Sequence, residues 1–158
     1  MLPTARELME ARVLTVDPEA SLEEVYHLFS DEEISGAPVV GDDGRLVGVI
    51  TATDLIRAAD QERDTARVES GYFRDLLPYS APDWSFGPED FQSRLAALRA
   101  SDVMTREVVA VPPDMPANAV ARLLRSRRIH RVFVTTDGQL LGVVSAFDLL
   151  RVLEDLKE

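Results

Sequence analysis

Cysteine is absent from the 158 residues, which excludes disulfides, thiolate nucleophiles and cysteine-ligated zinc. Histidine occurs only at His27 and His130, and two isolated imidazoles make no metal site. Positive charge is scarce: 17 Lys and Arg against 28 Asp and Glu leave a formal net charge of -11. A chain that repels polyanions overall is not a general nucleic-acid binder. No apolar run approaches the roughly 18 residues of a membrane span. The opening Met1-Leu2-Pro3-Thr4-Ala5-Arg6-Glu7 holds no apolar signal core, so the expected location is the cytoplasm, without a membrane partner. Also missing are a P-loop, Gly-x-Gly-x-x-Gly, a nucleophile elbow and His-Glu-x-x-His, so no enzyme is expected.

What is present is one unit written twice. Val39-Val40-Gly41-Asp42-Asp43-Gly44-Arg45-Leu46-Val47-Gly48-Val49-Ile50-Thr51-Ala52-Thr53-Asp54-Leu55 returns, one residue shorter, as Val134-Thr135-Thr136-Asp137-Gly138-Gln139-Leu140-Leu141-Gly142-Val143-Val144-Ser145-Ala146-Phe147-Asp148-Leu149. Upstream, Leu8-Met9 matches Val103-Met104, Val16-Asp17-Pro18 matches Val111-Pro112-Pro113, and Ile34-Ser35-Gly36 matches Ile129-His130-Arg131. Two copies can bury faces against each other that neither could bury alone, and a cleft between them presents the same polar groups in two related places. With 46% apolar residues, the chain suits one compact domain or two small, tightly packed halves.

Each copy reads as β-α-β-β-α. Ser21-Leu22-Glu23-Glu24 has the spacing of a capping box, followed by Leu22, Val25, Tyr26, Leu28 and Phe29 at helical intervals. The second copy begins near Pro116, with Ala117, Val120, Ala121, Leu123 and Leu124 in the same places. Two β-branched runs flanking an Asp-Gly turn predict hairpins over 37–50 and 132–144. Short strands are expected before the helices, at Val13 to Val16 and Val108 to Val111. Thr51-x-x-Asp54 and Ser145-x-x-Asp148 then open an apolar helix.

The intervening segment is longer than a simple connection requires. It opens with a charged stretch from Asp60 to Glu69. From Gly71 to Phe91 it then collects Tyr72, Phe73, Tyr79, Trp84, Phe86 and Phe91, six of the ten aromatic residues. Such a segment is too apolar for a plain linker and should fold onto something, either as a cap over one edge of the paired sheets or as a lid beside a cleft. Phe91 to Leu98 reads as a short helix.

These motifs together, Met-x(7 to 8)-Pro, helix, hairpin and Gly-Val-hydrophobic-[Ser/Thr]-x-x-Asp, present twice, resemble a tandem cystathionine β-synthase (CBS) domain pair, or Bateman module. The resemblance implies an α+β fold of two repeats related by a pseudo-twofold axis: 4–57 as repeat one, 58–98 as an aromatic-rich insert, and 99–155 as repeat two. It further implies two clefts that take adenosine derivatives (AMP, ADP, ATP or S-adenosylmethionine) as regulatory ligands, with no catalytic cofactor.

The paired hydroxyl and carboxylate have two readings. In any well-made helix they form reciprocal caps. An ionised carboxylate can equally accept both hydroxyls of a ribose, beside a helix N-terminus suited to phosphate. Carried over from the resemblance, one site combines Thr51 and Asp54 with Arg106, Ile129, His130 and Arg131. The other combines Ser145 and Asp148 with Ala11, Ile34, Ser35 and Gly36. The first has the guanidinium and imidazole, so tighter binding of phosphorylated ligands is expected there. Phe133 stands where repeat one has Pro38.

Arg122, Arg125, Arg127, Arg128 and Arg131 crowd the first helix of repeat two and its end, whereas its counterpart carries Glu23, Glu24, Asp31, Glu32 and Glu33. A charge run is ordinarily a solvated face. In the resembled family these helices often meet between modules, which implies a homodimer with acidic facing basic helix. The function implied is a non-enzymatic sensor that binds an adenosine derivative between its repeats and signals to a regulated protein. The alternative is a ligand-independent dimerisation scaffold in which both motifs only cap helices.

Overall fold

The computed structural model describes residues 1–60, 71–73 and 89–156. Repeat one contains α1 (Ala5–Leu8), α2 (Leu22–Glu32), β1 (Gly36–Val40), β2 (Leu46–Thr51) and α3 (Ala52–Asp60). A 3-10 turn at Gly71–Phe73 and α4 (Glu89–Ala97) follow. Repeat two contains α5 (Ala100–Val103), β3 (Ala110–Val111), α6 (Ala117–Arg127), β4 (Arg131–Thr136), β5 (Gln139–Ser145) and α7 (Ala146–Glu154). The fold is α+β, as expected. The charged stretch beyond Asp60, together with Tyr79, Trp84 and Phe86, lies outside the described residues.

The apolar periodicity of each first helix becomes its buried stripe. Leu22, Val25 and Phe29 are buried on α2, and Ala117, Val120 and Leu124 on α6. Full burial of a Leu, Val or Phe side chain stabilises by about 1.5–3 kcal/mol. Ala121, expected on that stripe, is exposed instead. Ser21 accepts from the Glu24 amide at 3.2 Å, supplying one arm of the expected capping box. Both helices end on a left-handed residue, Glu33 and Arg128.

The hairpins form as the Asp-Gly signals require. In repeat two, Asp137 and Gly138 both have positive φ and join β4 to β5 directly, the geometry of the tight turn that follows strand twist. In repeat one only Gly44 is left-handed, within a longer loop closed by Gly41 and Arg45. The two turns meet: Leu46 donates to the Gly138 carbonyl at 2.9 Å and Leu140 to that of Gly44 at 3.2 Å.

The first strands differ between repeats, and proline is the reason. In repeat two, the Phe133 amide donates to the Val109 carbonyl at 3.0 Å and β3 runs parallel to β4. The equivalent position in repeat one is Pro38, which has no amide hydrogen. The strand expected over Val13 to Val16 is therefore reduced to one bridge, Val16 to Val39.

The repeats exchange their leading segments. Helix α1 packs on repeat two: Ala5 donates to Met115, Ala117 donates to Pro3, and Glu10 exchanges two backbone bonds with Val143 at 2.8 and 3.0 Å. Reciprocally, Leu22 donates to Leu98, Ala100 donates to Ala20, and Thr105 exchanges two bonds with Val49, both at 2.9 Å. The buried clusters follow the exchange. Ala5 and Leu8 join Val120, Val132 and Val144, while Leu95 and Ala100 join Leu22, Val39 and Ile50.

Candidate ligand clefts between the repeats

Thr51 and Ser145 each end a core strand, so the residue three positions on is delivered at the start of a helix. The Asp148 carboxylate accepts from the Ser145 amide at 2.8 Å and from its hydroxyl at 3.0 Å, and Ser145 Oγ accepts from the Asp148 amide at 3.3 Å. Asp54 and Thr51 make the same reciprocal pair at 2.8 and 3.3 Å. The caps are thus fully formed in both copies. They use Oδ2, and Oδ1 of Asp148 stands 3.5 Å from the Arg151 guanidinium. Arg151 also donates to the Leu8 carbonyl at 2.7 Å, tying α7 to the exchanged N-terminal segment.

A cavity of about 350 Å³ opens where the repeats meet. Glu33, Ile34, Ser35, Gly36 and Pro38 line it together with Arg12, Val13 and Leu14 from repeat one, Val143 and Arg131 from repeat two, and Tyr72. Its size is that of a small-ligand site. Pro38 contributes to the opening, because Leu14 lacks the strand bond that its counterpart Val109 makes. Among the described residues no acceptor reaches the Ser35 amide; the Arg12 amide donates to the Glu10 carboxylate at 2.8 Å, while its guanidinium makes no ion pair among them.

The expected site residues distribute unevenly around this cavity. Ile34, Ser35 and Gly36 line it, and Ala11 adjoins it through Arg12. Ser145 and Asp148 lie outside the wall, just beyond Val143, with Ser145 opposite Arg131 in the β4–β5 register. Arg131, expected at the Thr51 and Asp54 site, lines this cavity. Ile129 is 2% exposed, within the core. Arg106 is exposed beside the Thr105–Val49 bridge.

On the repeat-two side, the Gly71–Phe73 turn packs against His130 and Phe133. Phe73 is fully buried and Tyr72 is 8% exposed. Tyr72 stacks on Phe133 with ring centroids 5.4 Å apart, Phe73 meets Phe133 edge-on at 5.5 Å, and the Arg131 guanidinium lies 4.7 Å from the Tyr72 ring centre. The Phe73 carbonyl accepts from the His130 amide at 2.7 Å. Burial pushes the Tyr72 hydroxyl above its ordinary value, against the opposing pull of Arg131, so it stays neutral near pH 7. This part of the insert touches both repeats, Gly36 of the first and Phe133 of the second. Tyr72 lines the cavity and Phe73 packs beside it in the core, though neither belongs to the repeated motif; Phe133 in place of proline is their one sequence signal.

The family model for the CBS domain matches residues 5–61 and 100–155, and the chain belongs to the CBS domain family. It is 33% identical over 144 residues to the uncharacterized protein MJ1426 of Methanocaldococcus jannaschii, covering 89% of this chain and 85% of the relative. The CBS domain of a CBS domain-containing membrane protein from Sphaerobacter thermophilus superposes with a TM-score of 0.68 at 28% identity, covering 96% of this chain and 88% of the other. CBSX2 of Arabidopsis thaliana, solved in complex with AMP, superposes with a TM-score of 0.66 at 23% identity over 99% of both chains. Among the described residues no helix is long and apolar enough to cross a membrane, and no group of three or more His, Cys, Asp or Glu could hold a metal ion.

Proposed function

We propose that this chain is a non-enzymatic regulatory module that binds an adenosine derivative in the cleft lined by Arg12, Ser35 and Val143 and signals its occupancy to a partner protein. The carrying observation is the cavity itself, formed by both repeats, with the Ser35 amide lacking an acceptor among the described residues and with Arg12 and Arg131 outnumbering Glu33 in its wall. In this reading the adenine edge meets the Ser35 backbone, the ribose reaches the rim where Val143 leads into Ser145 and Asp148, and Arg12 and Arg131 face the phosphate. The AMP complex of CBSX2 supports the ligand class. The module works in the cytoplasm as a homodimer, with exposed acids of α2 opposite exposed arginines of α6.

The completeness of both caps favours a second reading, a ligand-independent scaffold. Thermal unfolding with AMP, ATP, S-adenosylmethionine and guanosine monophosphate separates them. A native-state ligand at about 100 times its Kd adds about 2.7 kcal/mol, which at about 2–4 °C per kcal/mol raises Tm by roughly 5–10 °C. The sensor requires that rise with at least one adenosine compound and a smaller one with the guanosine control. An unchanged Tm with every adenosine compound leaves the scaffold reading.

A further inference from the structure

We infer that the module holds a single ligand site because its own Gly71–Phe73 turn is the permanent occupant of the second cleft. The inference rests on the ligand-binding reading above and adds its stoichiometry. The sequence duplication presents two equivalent clefts, and the structure breaks that equivalence at matched atoms. The His130 amide donates to the Phe73 carbonyl at 2.7 Å, while its counterpart, the Ser35 amide, has no acceptor among the described residues and adjoins the open cavity. One strand-edge donor is satisfied from within the chain; the other is left for an incoming acceptor.

The side chains are matched to that role. Phe133, at the Pro38 position, presents a ring to both Tyr72 and Phe73. Gly36 admits the Tyr72 ring: a Cβ there would meet Tyr72 Cδ2 at 2.7 Å, closer than real contacts allow. Its counterpart Arg131 covers the same ring. A flat, aromatic, backbone-accepting group in this place has the chemistry of a purine base held by stacking and one hydrogen bond. The inference runs against the expectation of tighter binding at the Asp54 cleft through His130 and Arg131. That cleft is filled, and Arg131 both covers the Tyr72 ring and lines the open one.

Two measurements test the inference. In ligand-free protein, amide hydrogen exchange is expected to be at least 100-fold slower at His130 than at Ser35; equal rates overturn the inference. Calorimetric titration with AMP and with ATP is expected to give one ligand per wild-type chain, and Asp148→Asn to weaken that event at least tenfold with no second event surviving. Two ligands per chain, or a full-strength site remaining in Asp148→Asn, overturn it. Phe73→Ala combined with Tyr72→Ala is expected to admit a second equivalent; a folded double variant that still binds one counts against the inference. If neither nucleotide binds the wild type, the ligand-binding reading falls, and the His130 to Ser35 exchange ratio alone decides whether the turn fills the cleft.

Discussion

Gly142→Val is expected to lower Tm by roughly 6–12 °C, and Gly48→Val by a similar amount. Each glycine sits on a core strand beneath the segment exchanged from the other repeat. A Cβ on Gly142 would lie 2.7 Å from the Glu10 carbonyl and 2.8 Å from Met9 Sδ; one on Gly48 would lie 2.8 Å from both the Thr105 carbonyl and Met104 Sδ. Methionine can move, but the carbonyls belong to the backbone pairs that hold Glu10 to Val143 and Thr105 to Val49. Overpacking costs about 1–3 kcal/mol, and at about 2–4 °C per kcal/mol the upper end of that range gives the stated shift. Gly41→Ala is the control, since its Cβ would meet only the Asp43 side chain, at 3.2 Å. Equal melting temperatures for Gly142→Val and Gly41→Ala would show that the exchanged segments are not clamped to the sheets.

Asp148→Ala is expected to weaken AMP or ATP binding about 10- to 100-fold, the loss corresponding to a charge-assisted hydrogen-bond group worth about 1.5–3 kcal/mol. The same substitution removes the reciprocal cap of α7, which costs about 1 kcal/mol of stability. The two effects are separable. Titration calorimetry reads the affinity, and urea unfolding without ligand reads the cap. A stability loss with unchanged affinity would make Asp148 a helix cap alone. Asp148→Asn keeps one oxygen for the Ser145 amide, so it should retain more stability than the alanine variant while still binding weakly.

Local signals carried most of the fold. The Asp-Gly pairs at Asp43-Gly44 and Asp137-Gly138, the β-branched runs around them and the 3.6-residue stripe from Leu22 to Phe29 each depend on neighbours in sequence, and each formed near its expected place. The duplicated motif also revealed that the clefts come in pairs. Less legible were features set by distant contacts. Nothing within Ala5 to Leu8 states that it packs on α6 and β5 of the other repeat. The loss of the strand at Val13 followed from a proline some twenty-five residues later, legible only once the pairing partner of that strand was known. The aromatic pair at Tyr72-Phe73 announced burial but not its place, because burial is non-directional. Only Phe133 and Gly36, one ring added and one side chain removed on opposite walls, match that turn to its cleft.

A crystal structure of the protein grown with AMP tests the central claim most directly. The account predicts one nucleotide per chain, its base edge against the Ser35 backbone and its ribose at Asp148, with Phe73 still bonded to the His130 amide. A nucleotide at Asp54 with the Gly71–Phe73 turn displaced, or an empty Ser35 cleft at saturating AMP, would contradict it.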